Sequence, residues 1–290
     1  MSVDVAVIGT PFLDLVFEGL PRLPAPGEEV VGKALHVVPG GSAIQAIGLA
    51  RLGVPVALVS PRGTDPGGRV LEATLEREGV AWVGPSADDT PATAILSTPD
   101  GTAMATVTTH AEPAPEDITT LEPRLVVLSL GRTDLRPADV PACFVSGSIE
   151  IEAGVRPPDR ARRGDLLVVT RAEAEVLSGK SDPEEAANVL SRSGLTAFVT
   201  MGADGAIAVH DEEMSRATAP SVDVVDATGA GDLFVSAIVW AALRELALPS
   251  ALQWACLAAS LSVAAPTALA GAVRLDALME EGRRRGLNPP

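Results

Sequence analysis

Six short apolar runs, several of them followed by a helical pattern, constrain this chain more than any other feature. They are Val3–Gly9, Val54–Ser60, Leu125–Leu130, Ala142–Val145, Leu166–Thr170 and Ala197–Thr200. Near-continuous runs such as Val3–Gly9 suit parallel strands covered on both faces, where no solvent side exists to demand alternation. Between them, Gly41–Leu52 carries Ile44, Ile47, Leu49 and Leu52 at helical spacing and stops at Gly53. Val70–Glu78 reads as a helix ending at Gly79, and three further helices are expected at about 230–247, 250–265 and 275–285. Strands alternating with helices predict an α/β fold with a doubly wound, mainly parallel sheet. Two polar–apolar alternations fall outside this pattern. One flanks the turn Pro21–Gly27, and the other spans Ala92–Thr98 and Ala103–Thr109 around Pro99-Asp100-Gly101. The expectation is therefore one domain over residues 1–290, with small β-lid insertions at about 12–38 and 92–110.

Composition removes several function classes. With 290 residues, 47% of them hydrophobic, there is material for a large core, and 27 glycines with 24 prolines fall short of a disordered low-complexity chain. A net charge of −16 repels phosphate backbones and anionic lipid, so neither nucleic acid nor a membrane surface is an expected partner. Cys143 and Cys256 sit in apolar contexts without a CxxC partner, which suits reduced thiols. The opening residues Ser2, Val3 and Asp4 carry no basic run, and a cytoplasmic location is expected. Leu246–Val273 is uncharged over 28 residues, yet Pro249 and Pro266 leave only 16 between them. That is shorter than the roughly 20 residues of a spanning helix.

Three phosphate-binding patterns are worth testing in such a chain. Gly179-Lys180-Ser181 matches the end of a P-loop, but Ala174 stands where its earlier glycine belongs and the segment follows a helix. Gly229-Ala230-Gly231 lacks the third glycine of a dinucleotide fingerprint, since Phe234 stands there, and Asp232 would repel a pyrophosphate. What remains is Asp226-Ala227-Thr228-Gly229-Ala230-Gly231-Asp232, directly before an apolar helix. Thr228 is expected to cap that helix, leaving free amides in its first turn to attract a phosphate. Asp232 in the same turn suits accepting a hydroxyl proton, so phosphoryl transfer is the chemistry these residue types serve. A glycine-rich helix start with a dipole-favoured Asp is the plain alternative for that turn alone.

Further matches decide for the first. The Asp226–Asp232 segment resembles the C-terminal signature D-T-x-G-A-G-D of the ribokinase-like (phosphofructokinase B) carbohydrate kinase family. Gly40–Gly53 (GGSAIQAIGLARLG) resembles its N-terminal signature, Val7–Asp14 with Leu23–Glu28 its usual opening, and Val199–Gly205 (VTMGADG) its nucleotide-side turn. The resemblance implies a ribokinase-like fold and an ATP-dependent kinase. It makes Asp232 the general base and the amides of Gly229, Ala230 and Gly231 an anion hole. Asp14, Gly41, Gln45 and Phe12 would meet the acceptor, and Thr170, Thr200, Gly202 and Gly205 the nucleotide. Glu173 would orient hydrated Mg²⁺, and Asp226 and Thr228 a monovalent cation such as K⁺. Three positions depart from the pattern: Thr170, Gln45 and Phe12 each replace an Asn, and the stretch Leu130–Asp165 is shorter than usual. Phe12 is either core or a platform for a furanose or base. The resemblance implies a small sugar or sugar-like acceptor phosphorylated at a hydroxyl, a primary one by expectation, and the departures speak against ribose itself. The alternatives are a nucleoside kinase of the same fold or a catalytically silent ligand-binding homologue. A homodimer through the lid is the expected assembly. His36, His110 and His210 show no metal-ligand spacing, and Trp82, Trp240 and Trp254 read as core.

Overall fold

The structure, a computed structural model, describes residues 2–108, 112–146, 154–157, 162 and 164–288. His110, the end of the second alternation and part of the short Leu130–Asp165 stretch lie outside the described residues. In chain order the strands are β1 (Val5–Ile8), β2 (Pro11–Glu18), β3 (Ala34–Gly41), β4 (Val56–Val59), β5 (Arg62–Gly63), β6 (Ala81–Val83), β7 (Ser86–Ala87) and β8 (Ala92–Thr98). There follow β9 (Gly101–Val107), β10 (Leu125–Ser129), β11 (Ala142–Val145), β12 (Leu166–Thr170), β13 (Thr196–Thr200), β14 (Ala206–His210) and β15 (Glu213–Ala217).

Nine strands form one sheet in the order β15-β14-β13-β12-β11-β10-β1-β4-β6. From β13 to β6 every pairing is parallel, while β14 and β15 close one edge antiparallel. The chain winds away from β1 in both directions, so the order reverses between β1 and β10. At such a switch point the crossing helices diverge and leave a crevice outside the carboxyl ends of the strands. Apolar side chains pack on both faces of the sheet, as the uninterrupted runs require. On one face lie α1 (Ser42–Arg51) and, farther along the chain, α6 (Ala230–Leu243) and α7 (Leu248–Ser262). On the other lie α3 (Pro115–Thr119), α4 (Arg171–Ser178) and α5 (Pro183–Ser191). The helix expected at 70–78 is α2 and starts at Pro66, because Asp65 accepts from the Gly68 amide and Pro66 supplies a preset first φ. The chain ends in α8 (Ala268–Gly271) and α9 (Leu275–Arg284).

The two outlying alternations meet in a separate four-stranded sheet, β3-β2-β8-β9. Its central pair β2–β8 is parallel, which joins segments some eighty residues apart. Register puts Phe12, Asp14 and Val16 on one face with Gly40, Val38, His36 and Thr93. The opposite face carries Leu15, Phe17, Leu35, Val37, Ala94, Leu96 and Val107.

Helices α1 and α6 lie side by side, parallel and in register. Gln45 in the first turns of α1 reaches Asp232 in the first turn of α6, and Gly48 meets Ser236 one turn farther along both. A Cβ on Gly48 would fall 2.5 Å from Ser236 Oγ and 2.8 Å from Leu233 Cδ2, so only glycine permits this approach. Among the described residues no helix is long and apolar enough to cross a membrane; Leu246–Val273 divides into α7 and α8. Gly48→Val should overpack the α1–α6 seam at a cost of about 1–3 kcal/mol, read as a lower urea midpoint at unchanged slope. An unaltered midpoint would show that the seam is loose.

Candidate active site

A cleft of about 720 Å³ opens at the carboxyl ends of β12 and β13, a volume suited to a small-molecule ligand. Thr170 and Thr200 are the last residues of those strands, and both line it together with Gly202 and Gly205. Its far end is bordered by Ala230 and Gly231. The four nucleotide-side positions read from the sequence and two of the three residues of the expected anion hole therefore share one cavity. Ala219, Pro220 and Val222 add an apolar wall that the sequence reading missed, since a loop between β15 and α6 offers no periodicity to read.

The turn before α6 differs from expectation in one respect. The cap is Gly229, not Thr228, and no side chain bonds the first turn. Gly229 sits at φ +77°, and a Cβ there would fall 2.4 Å from Ala268 Cβ of α8. This left-handed residue turns the chain so that the amides of Gly229, Gly231 and Asp232 donate to no protein group among the described residues. Ala230 N–H lies 3.4 Å from Ala227 O, a weak bond at best. Apart from its own turn of helix, no described residue stands within 4 Å of where a Gly231 Cβ would be. Open donors and the positive end of the helix dipole thus point into the cleft.

Asp232, half-buried, receives Gln45 Nε2 on Oδ1 at 2.8 Å. Gln45 is itself buried, and the Ser236 hydroxyl lies 2.9 Å from both the Gln45 and the Asp232 carbonyl oxygens. The amide expected to face the acceptor is thus committed to the carboxylate of Asp232. Burial raises the Asp232 carboxyl to about 6, and the Gln45 bond opposes that rise.

Asp14, Phe12 and Gly41 do not border the cleft; they lie on and beside the covered face of the small sheet. Gly40 makes room for Asp14, whose carboxylate would be 2.1 Å from a Cβ at that position. Asp14 is also raised to about 6, first by burial and then by the charges of Asp232 and Asp226, while the Thr93 hydroxyl opposes the shift. The Asp232 charge thus acts on Asp14 although 218 positions separate them in sequence. Phe12 packs its ring edge against Gly41.

Two carboxylates could serve cations. Glu173 Oε2 accepts from the Thr170 amide at 2.8 Å and from Ser146 Oγ at 3.0 Å, completing a capping box on α4. This ties down the side chain and leaves Oε1 for water. Asp226 Oδ1 accepts from the Thr228 amide at 3.0 Å, while its Oδ2 is buried without a partner. No group of three or more His, Cys, Asp or Glu side chains gathers into a metal cage among the described residues. Lys180-Ser181 follows the left-handed Gly179 that ends α4, so it opens no phosphate loop.

With this geometry in place, comparison with known proteins is decisive. Residues 159–272 match the model of the pfkB family carbohydrate kinases. The aminoimidazole riboside kinase of Salmonella typhimurium is 31% identical over 238 residues, covering 71% of this chain and 74% of that protein. The chain belongs to the pfkB carbohydrate kinase family. It is a phosphotransferase with an alcohol group as acceptor. The kinase is also similar to the ribokinase of Haemophilus influenzae, at 25% identity over 91% of this chain and 93% of the other. The structure of Arabidopsis thaliana ribokinase complexed with ribose and ATP superposes with a TM-score of 0.76 at 21% identity, covering 97% of this chain and 98% of that one. That last likeness establishes the ribokinase fold.

Raised carboxyl values carry a stability consequence in the kinase. Asp14 and Asp232 hold protons in the folded state up to about pH 6 that the unfolded chain releases near 3.8. Stability therefore falls as pH rises from about 4 to 6 and stays lower above that window. Asp14→Asn and Asp232→Asn should each raise the melting temperature by a few degrees at pH 8 and leave it unchanged at pH 4. An equal shift at both values would refute the titration.

Proposed function

We propose that this kinase transfers the γ-phosphoryl group of ATP to a hydroxyl, in the first instance a primary one, of a small sugar or sugar-like acceptor. The observation that supports this most directly is the cleft lined by Thr170, Thr200, Gly202 and Gly205 that leads to open amides beside a held carboxylate. ATP fits this cleft with its base and ribose between β12, β13 and the Ala219–Val222 wall. Its terminal phosphate then meets the amides of Gly229, Ala230 and Gly231. The acceptor lies on the Asp14 side, against Gly41 and Phe12, with Asp14 binding hydroxyls.

As the acceptor oxygen approaches phosphorus, its proton passes to Asp232 Oδ2, the oxygen that Gln45 leaves free. The new O–P bond forms while the β–γ bridging P–O bond breaks, and ADP departs with the bridging oxygen. Open amides at the helix start take up charge on the transferring group. Mg²⁺, when bound, would neutralise charge between the phosphates. Glu173 would hold its hydration shell through Oε1, which suits a site where the described residues form no carboxylate cage. The buried, partnerless Asp226 Oδ2 beside Thr228 fits an oxygen-seeking monovalent cation such as K⁺. The small sheet acts as a lid whose Asp14 face excludes the water that would otherwise accept the phosphate.

A riboside acceptor is the second reading. Phe12 presents an aromatic ring on the acceptor face next to Asp14, and the 31% identical relative is named for a riboside.

We also infer a homodimer through the lid. Phe17, Leu35, Val37 and Val107 share its outer face and are exposed, and Leu15 and Leu96 lie between them. So continuous an apolar surface is costly to leave in water.

Two measurements check these readings. Asp232→Asn should lower kcat by roughly two to four decades, the scale of a positioned general base. The wild-type kcat/KM for ATP with ribose, fructose or a nucleoside should fall below about pH 6, where Asp232 becomes protonated. Near-normal turnover in the variant removes the base, and intact ATP with every acceptor that binds marks a silent homologue. Val37→Glu should convert a dimer seen by light scattering to a monomer; a wild-type monomer at all concentrations excludes the lid interface.

A further inference from the structure

The strand order reverses between β1 and β10, and the residues that follow these strands converge there. Arg132, just beyond β10, places Nη2 3.1 Å from Thr10 Oγ1, just beyond β1. Thr10 O accepts the Ser42 amide at 3.3 Å and lies 2.8 Å from where a Gly41 Cβ would sit. The guanidinium is thus one residue contact from Gly41, and Gly40 beside it adjoins Asp14. This is the acceptor corner of the site.

Four features of that corner suit an anion. The α1 helix, ten residues long, is capped by Gly41 with no side-chain bond and has no acidic residue in its first turn. No side chain among the described residues caps its first turn. Ser42 is only 7% exposed, and its Oγ has no hydrogen-bond partner. Arg132 Nη1, sealed from solvent, is met only by the carboxylate of the exposed Glu112. Buried donors of this kind are costly to leave unmet. A carboxylate from the chain's own surface already seats on one of them. In a protein of net charge −16, where the charges of Asp232 and Asp226 already act on Asp14, an anionic acceptor would be expelled unless a cation offset them. Arg132 is placed to be that cation.

We propose that Arg132, Thr10 Oγ1, Ser42 Oγ and the first-turn amides of α1 form a subsite for an anionic group carried by the acceptor, a phosphate ester or a carboxylate. The proposal rests on the kinase reading above and narrows its substrate class from neutral to acidic sugars. Glu112 occupies the guanidinium until the acceptor displaces it. The planar fork of Arg suits either anion, because both offer paired oxygens.

The test compares fructose, fructose 6-phosphate and gluconate as acceptors with ATP. It measures kcat/KM and also the melting shift each acceptor gives in Asp232→Asn, where turnover is slowed. An anionic acceptor should exceed fructose by at least tenfold, and whether phosphate or carboxylate wins identifies the group. Arg132→Met should raise its KM on the order of 10- to 100-fold, the scale of a charged hydrogen-bond pair, with little change for fructose. Arg132→Lys should restore part of the loss, and Glu112→Gln, at an exposed site, should lower KM for the anionic acceptor. Preference for fructose, an equal loss for charged and neutral acceptors in Arg132→Met, or no melting shift from either anion overturns the subsite. If an anionic acceptor raises the melting temperature in an Arg132-dependent way but is never phosphorylated, the subsite stands and the kinase reading falls.

Discussion

The in-register contact of α1 with α6 is the constraint on which the site depends. Gly48 lets the helices approach until Ser236 bridges the Gln45 and Asp232 carbonyls, which brings two helix N-termini to the same level. Neither terminus is capped by a side chain. Two parallel dipoles side by side repel one another at their positive ends, and that repulsion is relieved by negative charge placed there. Asp232 supplies part of it permanently, and Gln45 holds the carboxylate still by donating to one oxygen. Anionic substrates would supply the rest.

Carboxylates in the region follow a similar logic. Asp14 comes from one segment and Asp226 and Asp232 from another far along the chain; burial and then the charges of Asp232 and Asp226 raise Asp14, and burial raises Asp232. A carboxylate poised near 6 is a better proton acceptor at neutral pH than an exposed one near 4 and is still ionised. By contrast, burial pushes both free thiols, Cys143 and Cys256, up to about 12, and makes them inert although Cys256 borders the cleft.

Much of the fold was legible because burial leaves its trace in local pattern. Val5–Ile8, Val56–Val59, Leu125–Ser129 and Leu166–Thr170 are apolar without alternation since both sheet faces are covered. The hairpin of β8 and β9 follows from Pro99-Asp100 between alternating runs. Other features carry no local trace. The parallel pairing of β2 with β8 depends on how two distant hairpins dock. The start of α2 was missed because Pro66 reads as a breaker until Asp65 is seen to cap it. Thr228 looked like the cap of α6, yet Gly229 takes that place, since Ala268 of α8 leaves no room for a side chain.

From its residues alone, this chain determined the sheet class, the glycine-rich turn and the types of group that could move a phosphoryl unit, because strand burial and helix starts are set by neighbours in sequence. Which groups meet was decided only by the tertiary structure. Gln45 reaches Asp232 across 187 positions, and Arg132 reaches Thr10 across 122. Such contacts arise where parallel strands and their crossing helices bring all their carboxyl ends to one edge, and no local pattern encodes which side chains will face one another there.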